Sequence, residues 1–195
     1  MTSDEPTSDV AGKSLSSVHI DLLENLDSTL RMIISKVSDS GFSIWIVGGA
    51  VRDSLSKISL HDIDLASNAT PSELMQIFPS SIPTGIAFGT ITIPSKGDFG
   101  DIEITTLRKD GTYIDRRRPE SVRFGTSLFE DLNRRDFKIN AMAIDPINLL
   151  FYDPHGGQKD LESGILSAVG EASERLEEDG LRICLLYTSP SPRDS

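Results

Sequence analysis

Asp62-Ile63-Asp64 places two carboxylates on alternate residues. On an extended strand, residues i and i+2 point to the same face, so these acids stand side by side. Like charges that close repel unless a cation lies between them. Magnesium takes hard oxygen ligands and commonly binds one or two carboxylates together with substrate phosphate. Two solvated acids at a strand end would look the same, so the pair alone leaves both readings open. A third acid comes from Asp101-Ile102-Glu103-Ile104-Thr105, where Asp101, Glu103 and Thr105 share a face. If that strand neighbours the first, one of its acids completes a three-carboxylate cluster. The pattern does not choose between Asp101 and Glu103.

Val47-Gly48-Gly49-Ala50-Val51-Arg52-Asp53 is an apolar run, two glycines and a helix start. Such a junction leaves backbone N–H groups uncovered where phosphates bind, and Arg52 adds a charged fork for phosphate oxygens. A tight turn with a surface arginine explains it equally, and it is neither G-x-G-x-x-G nor a P-loop. Arg134-Arg135-Asp136 offers two cations and an acid for phosphate and ribose hydroxyls, or else ends a helix with cations suited to its dipole. Asp179 and Arg182 are stacked at i and i+3 on one helix face. Cytosine and adenine each show an exocyclic amino donor beside a ring-nitrogen acceptor, which a carboxylate next to a guanidinium complements. Uracil and guanine show the reverse order. Such a pair admits C and A and rejects U and G, although an ordinary surface ion pair has the same spacing.

These groups need a frame. Residues 1–14 are polar and aperiodic and read as a disordered tail. Apolar residues recurring through Leu15, Val18, Leu22, Leu26, Leu30, Ile33 and Val37 predict one amphipathic helix, with Gly41 as its stop. Ile44-Trp45-Ile46-Val47 predicts a buried strand, residues 50–56 a helix, and residues 62–65 a half-buried strand. Thr70-Pro71-Ser72-Glu73 has the form of a capping box that opens a helix to about Phe78. Strands follow at 89–94 and 101–107, joined by a turn-rich hairpin loop. Residues 108–127 read as a long charged loop, 127–135 as a helix, and 139–144 as an apolar run. A turn at 152–157 and a helix over 171–183 complete the chain. The fold class is α/β (α+β): a head over 15–150 on a few antiparallel-leaning strands, then the start of a helical segment over 151–183.

The chain has 195 residues, 37% of them hydrophobic, enough for one domain with a sizeable core and the beginning of a second. No stretch approaches the roughly 20 apolar residues that span a bilayer. The N-terminus has neither a signal-peptide core nor transit-peptide character. The single cysteine, Cys184, allows no internal disulfide and suits a reducing cytoplasm. A net charge of −11 argues against gripping nucleic acid by bulk charge. Yet residues 108–138 hold nine of the nineteen basic residues, a strip suited to a small polyanion such as a triphosphate.

Taken in order, the motifs are specific. Gly-Gly-x-Val-Arg-Asp, Asp-x-Asp, Glu-Ile-Thr-Thr-Leu-Arg, Arg-Arg-Asp-Phe-x-Ile-Asn-Ala-Met, Asp-Pro-x-Gly-Gly and Glu-Asp-x-x-Arg follow one another from about Ile44 to Ile183. This series closely resembles the bacterial-type (class II) CCA-adding tRNA nucleotidyltransferases, whose sister group is the bacterial poly(A) polymerases. The resemblance implies a polymerase-β-like head on a small mixed sheet, followed by helical neck, body and tail. It implies Asp62 and Asp64 as magnesium ligands, with Glu103, rather than Asp101, as the third acidic residue. It implies Gly48, Gly49 and Arg52 at the triphosphate, Arg135 and Asp136 at the sugar and phosphates, and Asp179 and Arg182 as the amino-acid template for the base. The implied reaction is two-metal addition of CMP and AMP, from CTP and ATP, to the tRNA 3′ end.

The family's base-reading helix continues past Arg182 with further arginines, but Leu185 and Thr188 stand in their places here. Pro190 and Pro192 cannot continue a helix, so residues 184–195 read as a foreign tail on a truncated frame. Gly180, where the family has Pro or Ala, loosens the helix start by up to about 1 kcal/mol relative to Ala. A poly(A) polymerase of the same family, or a non-catalytic nucleotide-binding fragment, are the competing readings. Pro83-Thr84-Gly85-Ile86-Ala87-Phe88-Gly89-Thr90 is closer to the CCA-adding group, because the poly(A) polymerases tend to carry an arginine-rich stretch there.

Overall fold

Four consecutive apolar residues cannot leave either side of a strand in water. Ile44-Trp45-Ile46-Val47 accordingly forms β2 (Ile44–Val47), buried on both faces near the middle of a sheet. The computed structural model describes residues 11–60, 62–109, 123–125 and 127–170. The antiparallel neighbours of β2 are β3 (Asp64–Ser67) and β9 (Ala143–Asp145). Beyond β9 lie β10 (Leu150–Tyr152) and β1 (Lys13–Ser14). Beyond β3 lie β6 (Ile102–Thr106), β5 (Thr90–Ile93) and the edge strand β4 (Ile82–Gly85). The order is β1-β10-β9-β2-β3-β6-β5-β4, and among the described residues the β3–β6 pairing alone is parallel. A separate ribbon pairs β7 (Arg108–Lys109) with β8 (Arg123–Phe124). The α+β head on a mixed sheet expected from the sequence is present, with eight strands in that sheet among the described residues.

Alternation sorts the side chains into two layers. Ile44, Ile46, Leu65, Ile102 and Ile104 face the larger core. There α1 (Ser17–Glu24), α2 (Ser28–Asp39) and α4 (Pro71–Ile77) contribute Leu22, Leu30, Ile33 and Leu74. Trp45, Val47 and Ala66 face the other way, against Leu107, Val169 and Leu132 of α5 (Leu128–Asn133). That second layer is thin. Asp64 pairs with Val47 on one flank and Glu103 on the other, so both acids stand on the less covered face.

The apolar spacing from Leu15 to Val37 predicts one helix, whereas the structure has two. Asp27 explains the break: its Oδ1 accepts from the Leu30 N–H at 2.8 Å, an N-cap that starts a new helix. Arg31 closes the gap by donating to the carbonyls of Leu23, Glu24 and Leu26. Leu22, Leu26 and Leu30 are all buried, so the spacing survives the break. Thr70 and Glu73 form the expected capping box.

Elsewhere the strands exceed what the pattern predicts. Lys13 and Ser14, expected in the featureless tail, pair with β10. Pro83 and Gly85 hide β4, because proline is tolerated on an edge strand but gives no strand signal. The expected limit of the head at residue 150 falls inside the sheet. Past it, α6 (Gly157–Glu162) packs on α3 (Gly49–Leu55) and on the turn at Lys138–Asn140. The packing is close enough that a Cβ on Gly157 would overlap the Lys138 carbonyl. The helix expected over 171–183 and the tail over 184–195 lie outside the described residues, as does most of the charged loop.

Asp27 also accepts from the Asp98 N–H at 2.9 Å, which ties the β5–β6 loop to the start of α2. Asp27→Ala is expected to lower stability by about 1 kcal/mol through the cap alone. Urea unfolding followed by circular dichroism checks this.

Candidate active site

β2 ends at Val47 opposite Asp64, and the chain turns at once into α3. Gly48 makes that turn with φ 69° and ψ −131°, a conformation that residues with a Cβ avoid. A Cβ here would lie 3.0 Å from Arg135 Nη1 and 3.8 Å from Asp64 Oδ2. The bare glycine lets a guanidinium and a carboxylate close over the backbone. The Gly48 N–H, just ahead of the helix, donates to the Met142 carbonyl at 3.4 Å. Gly48 contributes room rather than a free donor.

Arg52 lies on the first turns of α3 and folds back, its Nη2 3.6 Å from where a Gly49 Cβ would stand. Its Nε donates to Asp53 Oδ1 and its Nη1 to Asn140 Oδ1, both at 2.8 Å. Asn140 Nδ2 donates in turn to Asp136 Oδ1 at 3.3 Å. One amide therefore joins the expected phosphate-facing arginine to the expected ribose-facing acid. Asp136 Oδ1 also accepts from the Phe137 N–H at 2.7 Å, which holds the carboxylate against its own backbone. Arg135 Nη1 donates to the Asn140 carbonyl at 3.2 Å and Nη2 to Asp131 Oδ2 at 3.4 Å.

Asp64 stands in register with Glu103 on the parallel ladder, so the two strands bring these acids together. Asp101 is taken up differently, because its Oδ1 accepts from the Ser95 N–H at 3.0 Å and closes the hairpin loop. Asp62 precedes β3 and is exposed. Asp64 also has an exposed surface, yet its carboxyl is hemmed in by its neighbours. Burial raises its pKa most, Arg135 opposes this, and Asp62 adds to it. The expected three-carboxylate cluster is not preformed: among the described residues no group of three or more His, Cys, Asp or Glu side chains could hold a metal ion.

Asp179 and Arg182 lie outside the described residues. The sequence reading singled out neither Asp131 nor the bridging role of Asn140. The signal available for Asp131 was its spacing from Arg134 and Arg135, i to i+3 and i+4, at a helix end. Asn140 gave none, since its partners are distant in the chain or reached through a turn.

Two outcomes follow from this geometry. Gly48→Ala is expected to lose about 1–3 kcal/mol from backbone strain, read as a lower denaturant midpoint, and to displace Arg135. Asp64→Asn tests the burial of the acid. A raised carboxyl pKa contributes stability below the unfolded value, and that contribution is lost as pH rises through the folded value. Asp64→Asn is therefore expected to melt higher than wild type at neutral pH, the gain shrinking as the solution is acidified. A neutral-pH melting temperature below that of wild type would contradict it.

The profile of the poly A polymerase head domain matches residues 44–167. A CCA-adding enzyme of Listeria monocytogenes serovar 1/2a is 45% identical over 151 residues, covering 77% of this chain and 38% of that protein. The crystal structure of the Bacillus stearothermophilus CCA-adding enzyme in complex with CTP superposes with a TM-score of 0.69 at 37% identity, over 87% of this chain and 38% of that one. The Thermotoga maritima CCA-adding enzyme complexed with tRNA gives a TM-score of 0.68 at 25% identity, over 89% and 40%. The chain thus spans roughly two-fifths of the length of the proteins it matches.

Proposed function

Because the chain belongs to the poly A polymerase head domain family, we propose that it is the nucleotide-adding head of a template-independent RNA nucleotidyltransferase. The reaction proposed is the addition of CMP and AMP, from CTP and ATP, to the 3′ end of tRNA. The observation that carries this is the pairing of Asp64 with Glu103 across the parallel ladder, with Arg135 over Gly48 beside it. Its likeness to CCA-adding enzymes solved with CTP or tRNA supports the choice of substrates. No helix among the described residues is long and apolar enough to cross a membrane; a cytoplasmic setting is part of this reading.

Asp62 and Asp64 are the residues that would hold magnesium, with Glu103 beside them. The donor set fits: the oxygens are hard, and a divalent cation relieves the repulsion that helps raise the Asp64 pKa. Bound there, magnesium supplies charge that acidifies the attacking hydroxyl and neutralises the triphosphate. The chain's own groups act by positioning. Arg52 and Arg135 flank the Gly48-Gly49 turn, where they would meet phosphate oxygens. Asp136, steadied by Asn140, would face the ribose. The tRNA 3′-hydroxyl attacks the α-phosphate in line, and the bond to pyrophosphate breaks. Choice of base is assigned to Asp179 and Arg182 on their sequence alone.

Asp62→Ala or Asp64→Ala, in a protein carrying the helical domains beyond this head, is expected to abolish CTP and ATP incorporation. Loss of several kcal/mol of charge stabilisation corresponds to about a thousandfold or more in rate. The assay uses tRNA ending before, within or after CCA, which also separates CCA addition from poly(A) synthesis. Unchanged turnover with magnesium would sink the assignment.

A further inference from the structure

Asp131 is 1% exposed, on α5 beneath the sheet's thinner layer. Its Oδ1 accepts from Arg134 Nε at 2.9 Å, from Arg134 Nη2 at 2.6 Å and from the Arg108 N–H at 3.2 Å. Its Oδ2 accepts from Arg135 Nη2 at 3.4 Å. One buried carboxylate is thus shared by two guanidiniums adjacent in the chain and by the first residue of β7. Arg108 belongs to the same charge cluster. Its pKa is brought down to about 10, first by burial and then by Arg134, with Asp131 opposing and Arg135 adding to the depression. Like charges brought this close repel, and an acid lodged among them is what lets them coexist under cover.

Arg135 is the member of this cluster that reaches the candidate site. Its Nη1 donates to the Asn140 carbonyl and lies 3.0 Å from where a Gly48 Cβ would stand. A planar fork held at one nitrogen can still swing about that contact. Held at both, by the Asn140 carbonyl on Nη1 and by Asp131 on Nη2, it has one direction. We propose that Asp131 is a positioning residue for nucleotide binding, holding the Arg135 guanidinium over Gly48 for the incoming triphosphate. This rests on the reading of Arg135 as a nucleotide contact and adds the group that aims it. Asp131 is fully covered, so it acts on the nucleotide through Arg135 and without touching it.

The test is magnesium-dependent CTP binding by the 195-residue chain, as wild type, D131N, R135A and the double variant, well below each melting temperature. R135A is expected to weaken binding about tenfold or more, as loss of a charge-assisted contact does. D131N is expected to weaken it by a similar factor. The double variant is expected to be no weaker than R135A by more than about twofold, because the two act as one unit. If D131N does not fold, D131E replaces it with the same expectation, keeping the charge but shifting it by one methylene. A merely structural Asp131 would lower the melting temperature and leave the CTP affinity of the folded protein intact, which overturns the proposal. So does a double variant whose loss is the product of the two single losses. If R135A binds CTP like wild type, the nucleotide role of Arg135 fails. If, in addition, D131N alone is impaired, Arg135 fails as the intermediary as well.

Discussion

Everything at the candidate site hangs on the parallel pairing of β3 with β6, in a sheet whose other pairings among the described residues are antiparallel. β3 and β6 run side by side in the same direction, and their register puts Asp64 against Glu103. Parallel neighbours cannot be joined by a short turn. The chain between them must cross over, and here it does so through α4 and the β4–β5 hairpin. That crossover supplies part of the larger core on one face and leaves the other face lightly covered at the strand ends. The acids are placed by backbone hydrogen bonds, and their approach to one another is unfavourable until something positive intervenes.

The positive charge that the chain itself supplies is arranged in two strands of contact. One runs from Arg52 through the Asn140 amide to Asp136. The other runs from Asp64 past Gly48 to Arg135 and down to the buried Asp131. Both meet at Asn140, whose side chain serves the first and whose carbonyl serves the second. A protein whose net charge is −11 thus brings Arg52 and Arg135 to the Gly48-Gly49 turn. It keeps them in place with carboxylates that are covered or half-covered.

Much of this was legible before any coordinates. β2 was evident because four apolar residues in a row have one environment open to them, and α4 because Thr70, Pro71 and Glu73 each state the same helix start. The i, i+2 spacing of Asp62 and Asp64 implied a shared strand face, but only Asp64 lies on β3. What could not be read were events that depend on distant residues. The break between α1 and α2 turns on a single aspartate cap inside an unbroken apolar pattern. β4, β9 and β10 are too short, or too rich in proline and glycine, to show a period of two. The choice between Asp101 and Glu103 rested on a register that the pattern does not contain, and only the motif order supplied it. Asp131 sits in a stretch that reads as an ordinary charged helix end.

The crossover between β3 and β6 also bears on the order of assembly. The helical pair α1–α2 and the β5–β6 hairpin join residues near in the chain and can close quickly. Bringing Asp64 beside Glu103 requires closing a loop of about forty residues, an entropic cost met only when the flanking strands dock. Arg135 arrives from farther along the chain. On sequence separation alone, the carboxylate pair with its guanidinium is costlier to close than the local helices and hairpins, so its geometry depends on the whole sheet being assembled.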